Sequence, residues 1–314
     1  MDAPSTVRRG GGELMSRLPL QQTLPMPTFD GTGGQVPLLL VDGHNLLWGA
    51  TFGFPAPIYS RDKRRLLTGL FAFFALLRVA SRDDMPGAAP EVIVVFDGEH
   101  GAASRQQTHD GYKASRPKDD QALLPLQFLP DVKRGLDHCG IAWIELEYAE
   151  ADDVIATVVH ATIPPRQVII LSRDRDYYQL ITDRVVVLNT RFRAGRKLVT
   201  PDEVHTRHQV TPAQWADFRA LAGDAADEIP GVHGIGAKTA ATLLNGGLTL
   251  DDLPSSGRLA TGRARAVAEQ FELALTWRDM IRLNTGLDLS RWPTGHASPQ
   301  LPRPADVVEQ LGLW

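Results

Sequence analysis

Hydrophobic residues along this chain follow two rhythms, and the change between them divides it. From Val36 to Leu188 short unbroken apolar runs recur, at Val36 to Val41, Val92 to Phe96, Ile141 to Ile144, Val168 to Leu171 and Val185 to Leu188. A parallel strand buried on both faces needs such a run. Between the runs lie stretches at helical spacing, from about Asp62 to Val79, from Leu123 to His138 and from Val154 to Val159, with a short helix at Tyr177 to Leu180. Alternating strand and helix predict an α/β fold with a mostly parallel central sheet flanked by helices. Past Thr200 the apolar runs stop. Thr200-Pro201-Asp202-Glu203 reads as a helix start, and Thr211-Pro212 opens another helix to about Ala222. Lys238 to Leu244 is helical up to a C-cap at Asn245-Gly246-Gly247, and more helix spans about Arg263 to Leu283. The chain thus divides into an α/β unit over 36–200, a helical subdomain over 201–290 and a Pro-rich segment over 291–314. Residues 1–35 are rich in Gly, Pro, Ser and Thr, lack any period and predict a flexible tail.

The polar residues that end these elements carry the chemistry. Asp42 follows the first run, Asp97 the second, and Asp174 and Asp176 follow Val168 to Leu171. Glu150-Ala151-Asp152-Asp153 opens the helix after Ile144. Ligands of open α/β sheets collect at the carboxyl ends of the strands. Carboxylates gathered on one edge repel one another unless a multivalent cation lies among them, so a magnesium or manganese site is expected. Each piece alone has a plainer explanation. Acids in a helix's first turn offset its dipole, and an Asp-Gly pair is usually a turn. Their recurrence at three strand ends and one helix start favours the metal.

Gly101 to Asp120 has almost no apolar residues but carries Arg105, His109, Lys113, Arg116 and Lys118, with Tyr112 among them. A solvated loop is the plainer reading. Bases interleaved with an aromatic, directly after a site aspartate, instead suit a phosphate backbone and a stacked base. Arg191 to Lys197 looks like a hairpin turn with exposed bases. A formal charge of −4 over 314 residues, 43% of them hydrophobic, does not make the chain a generally basic nucleic-acid binder, though local basic regions remain compatible with one. A single cysteine, Cys139, precludes an internal disulfide, suits a reducing cytoplasm and is expected to be buried. The first residues lack the apolar core of a signal peptide, and Leu66 to Ala80 is too short and interrupted to cross a bilayer. A soluble cytoplasmic protein is expected.

Gly231-Val232-His233-Gly234-Ile235-Gly236-Ala237-Lys238-Thr239 invites a nucleotide-binding reading that fails in detail. A P-loop needs lysine directly after its last glycine, where Ala237 stands, and a dinucleotide fingerprint needs a third glycine where Thr239 stands. What remains is a tight turn into a helix N-terminus. Its free N–H groups, with Lys238 and Thr239 in the first turn, could grip a phosphate backbone without reading sequence.

Taken together, these stretches resemble the 5′ nucleases of the flap endonuclease superfamily, most closely the 5′–3′ exonuclease domain of bacterial DNA polymerase I. The likeness is carried by Leu40-Val41-Asp42-Gly43-His44, Val95-Phe96-Asp97, Gly111-Tyr112-Lys113-Ala114, Tyr148-Ala149-Glu150-Ala151-Asp152-Asp153, Asp174-Arg175-Asp176, Tyr178-Gln179-Leu180, Gln214 to Leu221, Gly223-Asp224, Pro230-Gly231-Val232 and Gly234-Ile235-Gly236. It runs from about Pro37 to Asp288, and with no polymerase domain following, the chain looks like a stand-alone member. It departs from the family's Gly-Asp-x-Ser-Asp-Asn segment at Ala226 and Glu228. The resemblance implies a PIN-like sheet, a basic arch at about 99–122 and a helix-3-turn-helix DNA-binding subdomain. It implies two magnesium ions, which manganese can replace. Asp42, Asp97, Glu150 and Asp152 would surround the first, and Asp153, Asp174, Asp176, Asp224 and Asp227 would serve the second. It implies catalytic roles for Lys113 and Arg105, and DNA contacts from Tyr112, Arg116, Lys118 and the glycine turn, with potassium bound in that turn. The expected partners of a monomer are DNA 5′ ends, flaps or nicks, and RNA-primer hybrids.

Three other readings remain. A PIN-class ribonuclease would share the acidic edge but lack the glycine turn and the helices after Thr200. A haloacid dehalogenase-type phosphatase needs an aspartate where His44 stands. A non-catalytic DNA-binding homologue would have lost acids from the site.

Overall fold

The computed structural model describes residues 35–85, 89–117, 119–162, 164–191, 197–260 and 262–314. The expected tail, Lys118 and most of the turn after Arg191 lie outside the described residues.

The apolar runs become a six-stranded sheet. β1 (Leu38–Asp42), β2 (Glu91–Phe96), β3 (Ala142–Glu145), β4 (Val168–Leu171), β5 (Val185–Leu188) and β6 (Leu198–Val199) lie in the order β3-β2-β1-β4-β5-β6. All pairings are parallel except that of β5 with the two-residue β6. Both faces are covered, which is why the runs do not alternate with polar residues. Leu38 and Leu40 face one core with α5 (Ala151–Ala161), and Leu39 and Val41 face the other, with α1 (Gly43–Gly53), α2 (Thr68–Arg82) and α4 (Leu129–His138). Strand order reverses between β1 and β4, and the crevice that this opens at their carboxyl ends lies between Asp42 and Asp174.

Between β2 and α4 the chain makes α3 (Ala103–Thr108) and a run of turns. After β6 come α6 (Pro201–His208), α7 (Trp215–Ala222), α8 (Ala237–Leu244), α9 (Arg265–Glu269) and α10 (Phe271–Ile281). Their apolar faces join the core under α5, through Trp215, Phe218, Leu243 and Leu244. The last segment returns to the sheet, where Ser298 bonds Pro90 and Val92 at the start of β2. α11 (Pro304–Gln310) then packs through Val307 and Val308 into the core of α2.

Some elements differ from the sequence expectation, each for a local reason. α1 went unexpected because three glycines break its pattern; Asp42 caps it by accepting from Asn45 N at 3.0 Å, an interaction of about 1 kcal/mol. α2 starts at Thr68, not near Asp62, because Asp62 forms a turn with Ser60 Oγ (2.5 Å) and Arg64 N (3.1 Å). The helix expected from Arg263 is interrupted at Gln270, whose backbone (φ −116°, ψ 25°) is not helical. Cys139 caps α4 half-buried, not fully enclosed.

Candidate metal-dependent nuclease site

Asp42 ends β1 and is 8% exposed. Beyond Asn45 N it accepts from Ser172 Oγ at 3.0 Å and Tyr177 OH at 3.2 Å. Burial first, then the neighbouring charges of Asp97 and Asp174, push its carboxyl up to about 7. Asp97 follows β2; its Oδ1 accepts from Ala151 N at 2.7 Å, fixing the start of α5, and its own N donates to His44 Nδ1 at 3.0 Å. Asp176 is buried, and burial followed by repulsion from Asp174, Asp227, Asp224 and Asp152 raises it well above the usual range. These mutual effects bring acids from the ends of β1, β2 and β4, from α5 and from the loop after α7 into one electrostatic neighbourhood.

Cations from the arch enter it. Glu150 accepts from Arg105 Nη1, Lys113 Nζ and, at 3.1 Å, Tyr112 OH. Burial opposes ionisation of Glu150, but the Lys113 and Arg105 charges overcome it and hold this carboxyl low. Asp152 has Arg105 at 3.7 Å and Lys113 farther off, against burial and the charges of Asp153 and Glu150, so its carboxyl is raised. Direct hydrogen bonds from both cations, which Glu150 has and Asp152 lacks, decide the sign. Asp153 is committed elsewhere: Oδ1 accepts from Arg105 Nη2 and from Asn284 N, both at 2.8 Å.

A tight loop after α7 supplies the remaining acids. Asp224 and Ile229 exchange backbone bonds of 2.7 and 2.8 Å, closing the segment between them. Asp224 accepts from Arg219 Nε at 2.9 Å and Ala226 N at 2.8 Å. Asp227 meets Arg116 at 3.1 Å and Lys113 at 3.9 Å. Burial raises its carboxyl against those cations.

The nine acids do not form a ready-made cage. Among the described residues no three acidic, histidine or cysteine side chains are grouped to hold one ion as they stand, since Arg105 and Lys113 reach in among them. The donor chemistry nonetheless fits a hard divalent cation. It is all carboxylate oxygen, and the buried Asp42 and Asp176 and the half-buried Asp152 are acids whose charges lack sufficient compensation.

Tyr112 requires a correction. Expected to stack a base, it is 2% exposed, packed with Ala216, Ile229 and Trp277, and its hydroxyl points at Glu150 and Asp227. In this position it is a post that fixes the arch over the acids. The glycine turn is also partly structural. Gly231 sits at φ +70°, and a Cβ there would lie 2.3 Å from Gly223 N, so it allows two backbones to pack. Gly234 and Gly236 are exposed with open space beside them, and Lys238 and the half-buried Thr239 lie in the first turn of α8.

Two family models match the chain: "5'-3' exonuclease, N-terminal resolvase-like domain" over residues 37–209 and "5'-3' exonuclease, C-terminal SAM fold" over residues 210–298. The chain belongs to the 5'-3' exonuclease family. Within the family, the thermostable DNA polymerase I of Thermus aquaticus is 35% identical over 292 residues, which is 91% of this chain and 33% of the polymerase. DNA polymerase I of Deinococcus radiodurans is 35% identical over 255 residues, 81% of this chain and 25% of that protein. The chain spans about a third or less of the length of these relatives. Among solved structures, a bacteriophage T5 flap endonuclease complex with DNA and metal ions superposes with a TM-score of 0.63 at 22% identity, covering 79% of this chain and 90% of that one. Human GEN1 in complex with Holliday junction DNA gives 0.53 at 14% identity, covering 90% and 69%. At these identities the likeness is one of fold.

Sequence reasoning missed the residues that hold the acids in place. Ser172 bonds Asp42 and also accepts from Asp174 N at 3.1 Å, so one hydroxyl links two strand ends. The Glu228 carboxylate accepts from Ser115 N at 3.0 Å and clips the arch to the loop after α7. The adjacency of Ser172 to Asp174 was visible; nothing in the sequence pairs Ser115 with Glu228.

Proposed function

We propose that this chain is a metal-dependent 5′–3′ exonuclease and 5′ flap endonuclease that hydrolyses DNA phosphodiesters in replication or repair. The observation carrying this reading is the acidic crevice at the β1 and β4 ends, roofed by Arg105 and Lys113 from the arch. Asp42, Asp97, Glu150 and Asp152 are assigned to a first divalent ion, and Asp174, Asp176, Asp224 and Asp227 to a second or its waters, magnesium or manganese. Asp153, already bonded to Arg105 and Asn284 N, is assigned mainly to orienting α5. When bound, such ions would activate a water and neutralise the leaving oxygen.

The chain's own residues do the rest. Ser172 and Tyr177 fix the Asp42 carboxylate, and Ala151 N fixes Asp97. Lys113 and Arg105, held among acids in the free protein, would turn to the scissile phosphate and offset the charge that grows on it. Arg116 and Lys118 would meet the strand entering the arch. Gly234, Gly236, Lys238 and Thr239 would hold duplex phosphates, with potassium in the turn. The chain is read as acting as a monomer, because the residues assigned above need no second copy. None of the described helices is long and apolar enough to cross a membrane.

The test is cleavage of a 5′-labelled flap, a nicked duplex and an RNA-primer hybrid, each with magnesium and with chelator. Short 5′ products in magnesium only are expected, and Asp174→Ala should abolish them while leaving DNA binding in calcium largely intact. Unchanged turnover by Asp174→Ala would overturn the site assignment.

A further inference from the structure

Beside Asp174 the protein opens a cleft of about 1060 Å³, lined in part by Asn45, Gly49, Arg173 and Arg191. Arg173 is held at three points, two on α1 and one in the loop after β5. Its backbone N donates to Asn45 Oδ1 at 3.1 Å, and its Nε reaches Thr190 Oγ1 at 3.5 Å. Its guanidinium lies flat on α1 at Gly49, where a Cβ would come within 2.2 Å of Nη2. Only glycine leaves room for it. Arg105, Lys113, Arg116 and Arg219 all pair with acids of the site. Arg173 and Arg191 differ: among the described residues neither guanidinium has a carboxylate partner, and Thr190 is the one side chain bonded to the Arg173 guanidinium. Asp174, Asp224 and Glu228 also line this open volume, yet neither Arg173 nor Arg191 pairs with them, which leaves two guanidinium groups there able to take an anion. The planar guanidinium fork matches phosphate geometry, and the next residue after Arg173 is Asp174.

We propose that Arg173 and Arg191 form a phosphate-binding subsite that holds a nucleic-acid phosphate next to the one being cut, and so fixes how far the substrate strand advances before cleavage. This rests on the nuclease reading above. The ligand is either an internal phosphodiester or a 5′-terminal phosphate, and both present the same oxygens to the two arginines.

Affinity would be measured in calcium over a salt series for wild type, Arg191→Ala, Arg173→Lys and Arg173→Ala/Arg191→Ala, on flaps with 5′-phosphate and with 5′-hydroxyl ends. Product lengths would be read in magnesium. Each lost cation should flatten the slope of log affinity against log salt by about 1, and the cut should spread over neighbouring positions. Arg173→Lys, which keeps the charge but not the fork, should keep the slope and still spread the cut. If wild type favours the 5′-phosphate end and Arg191→Ala does not, the bound phosphate is terminal. Equal losses on both ends make it internal, and either result supports the subsite. Arg191 is exposed, so its variant reports even if the double variant folds poorly. Wild-type slopes and cut positions in Arg191→Ala and Arg173→Lys, with an active wild type, would overturn the subsite alone. A wild type that neither binds nor cuts any substrate would overturn the nuclease reading and this subsite with it.

Discussion

Asp42 shows at the scale of one residue what the site costs the fold. Its carboxyl is raised to about 7, so above that pH the metal-free protein carries a buried charge that the unfolded chain would carry in water. Asp42→Asn should therefore raise stability in chelator at pH 8, by at most about 4 kcal/mol for a shift of this size, and with it the melting temperature. The Asn45 N bond survives in that variant, and the Tyr177 hydroxyl can turn to accept from the new amide. Cleavage should be lost. A variant that melts lower than wild type in chelator would show that the Ser172 and Tyr177 bonds outweigh the repulsion. Lys113 makes the complementary case. Lys113→Ala should lower the single-turnover rate by ~10²-fold, the scale of one preorganised charge contact, with a far smaller change in affinity. An unchanged rate with weakened binding would make it a steering residue. Asp42, Asp97, Asp174 and Asp176 were legible in the sequence because they follow apolar runs, and Glu150, Asp152 and Asp153 because they open a helix, whereas Asp224 and Asp227 came only from the resemblance. The partners were not legible, since Tyr112, Ser172 and Glu228 meet the acids only through tertiary packing.

At the scale of elements, the strands were readable and the arch was not. Buried parallel strands announce themselves as unbroken apolar runs, whereas β6 has two residues and no pattern to find. In the arch, α3 has six residues and none of them is buried. Its position is set by polar contacts, from Arg105 to the carbonyl of Met280 and from Ser115 N to Glu228. Glu228 holds that clip from a left-handed backbone at φ +60°, unfavourable for glutamate and a sign that its side chain is needed there. Glu228→Ala should free the arch, and limited trypsin digestion without DNA should cut after Lys113 or Arg116 several-fold faster than in wild type. Equal digestion rates would leave the arch held by Tyr112 and Arg105 alone. The glycine turn before α8 makes a separate prediction. Lys238→Ala should flatten the salt slope by ~1 on flaps with a duplex and barely on single strands. Curves that overlay those of wild type would make the turn scaffolding, as the close packing of Gly231 on Gly223 already is.

For the whole molecule, acids and histidines set opposing pH dependences, and a bound cation should change which of them dominates. Asp42, Asp152, Asp176 and Asp227 all have raised carboxyls, with burial as the first cause. A group protonated more readily when folded loses stability as pH rises from its unfolded to its folded pKa. For Asp42 that window runs from 3.8 to about 7. His208, enclosed by Tyr178, Trp215 and Phe218, is lowered to about 4, mainly by burial and then by Arg175 and Arg207. It acts in the reverse sense, its contribution being complete above 6.5 and lost as pH falls toward 4. His44 is also lowered, with burial as the first cause. In chelator, then, stability should fall as pH rises toward 8 and the acids ionise, while below pH 6.5 the histidines, resisting protonation, offset part of what the acids gain. A divalent cation supplies the charge that the acids lack, so the fall toward pH 8 should vanish in magnesium, leaving the histidine loss on the acid side and an optimum above pH 7. The shift caused by magnesium should accordingly be larger at pH 8 than at pH 6. Melting curves between pH 5 and pH 8, with chelator and with magnesium, measure both limbs. A metal-free stability that is flat or rising from pH 6 to pH 8 would mean that Arg105 and Lys113 already neutralise the acids, leaving the cation no electrostatic role in the fold.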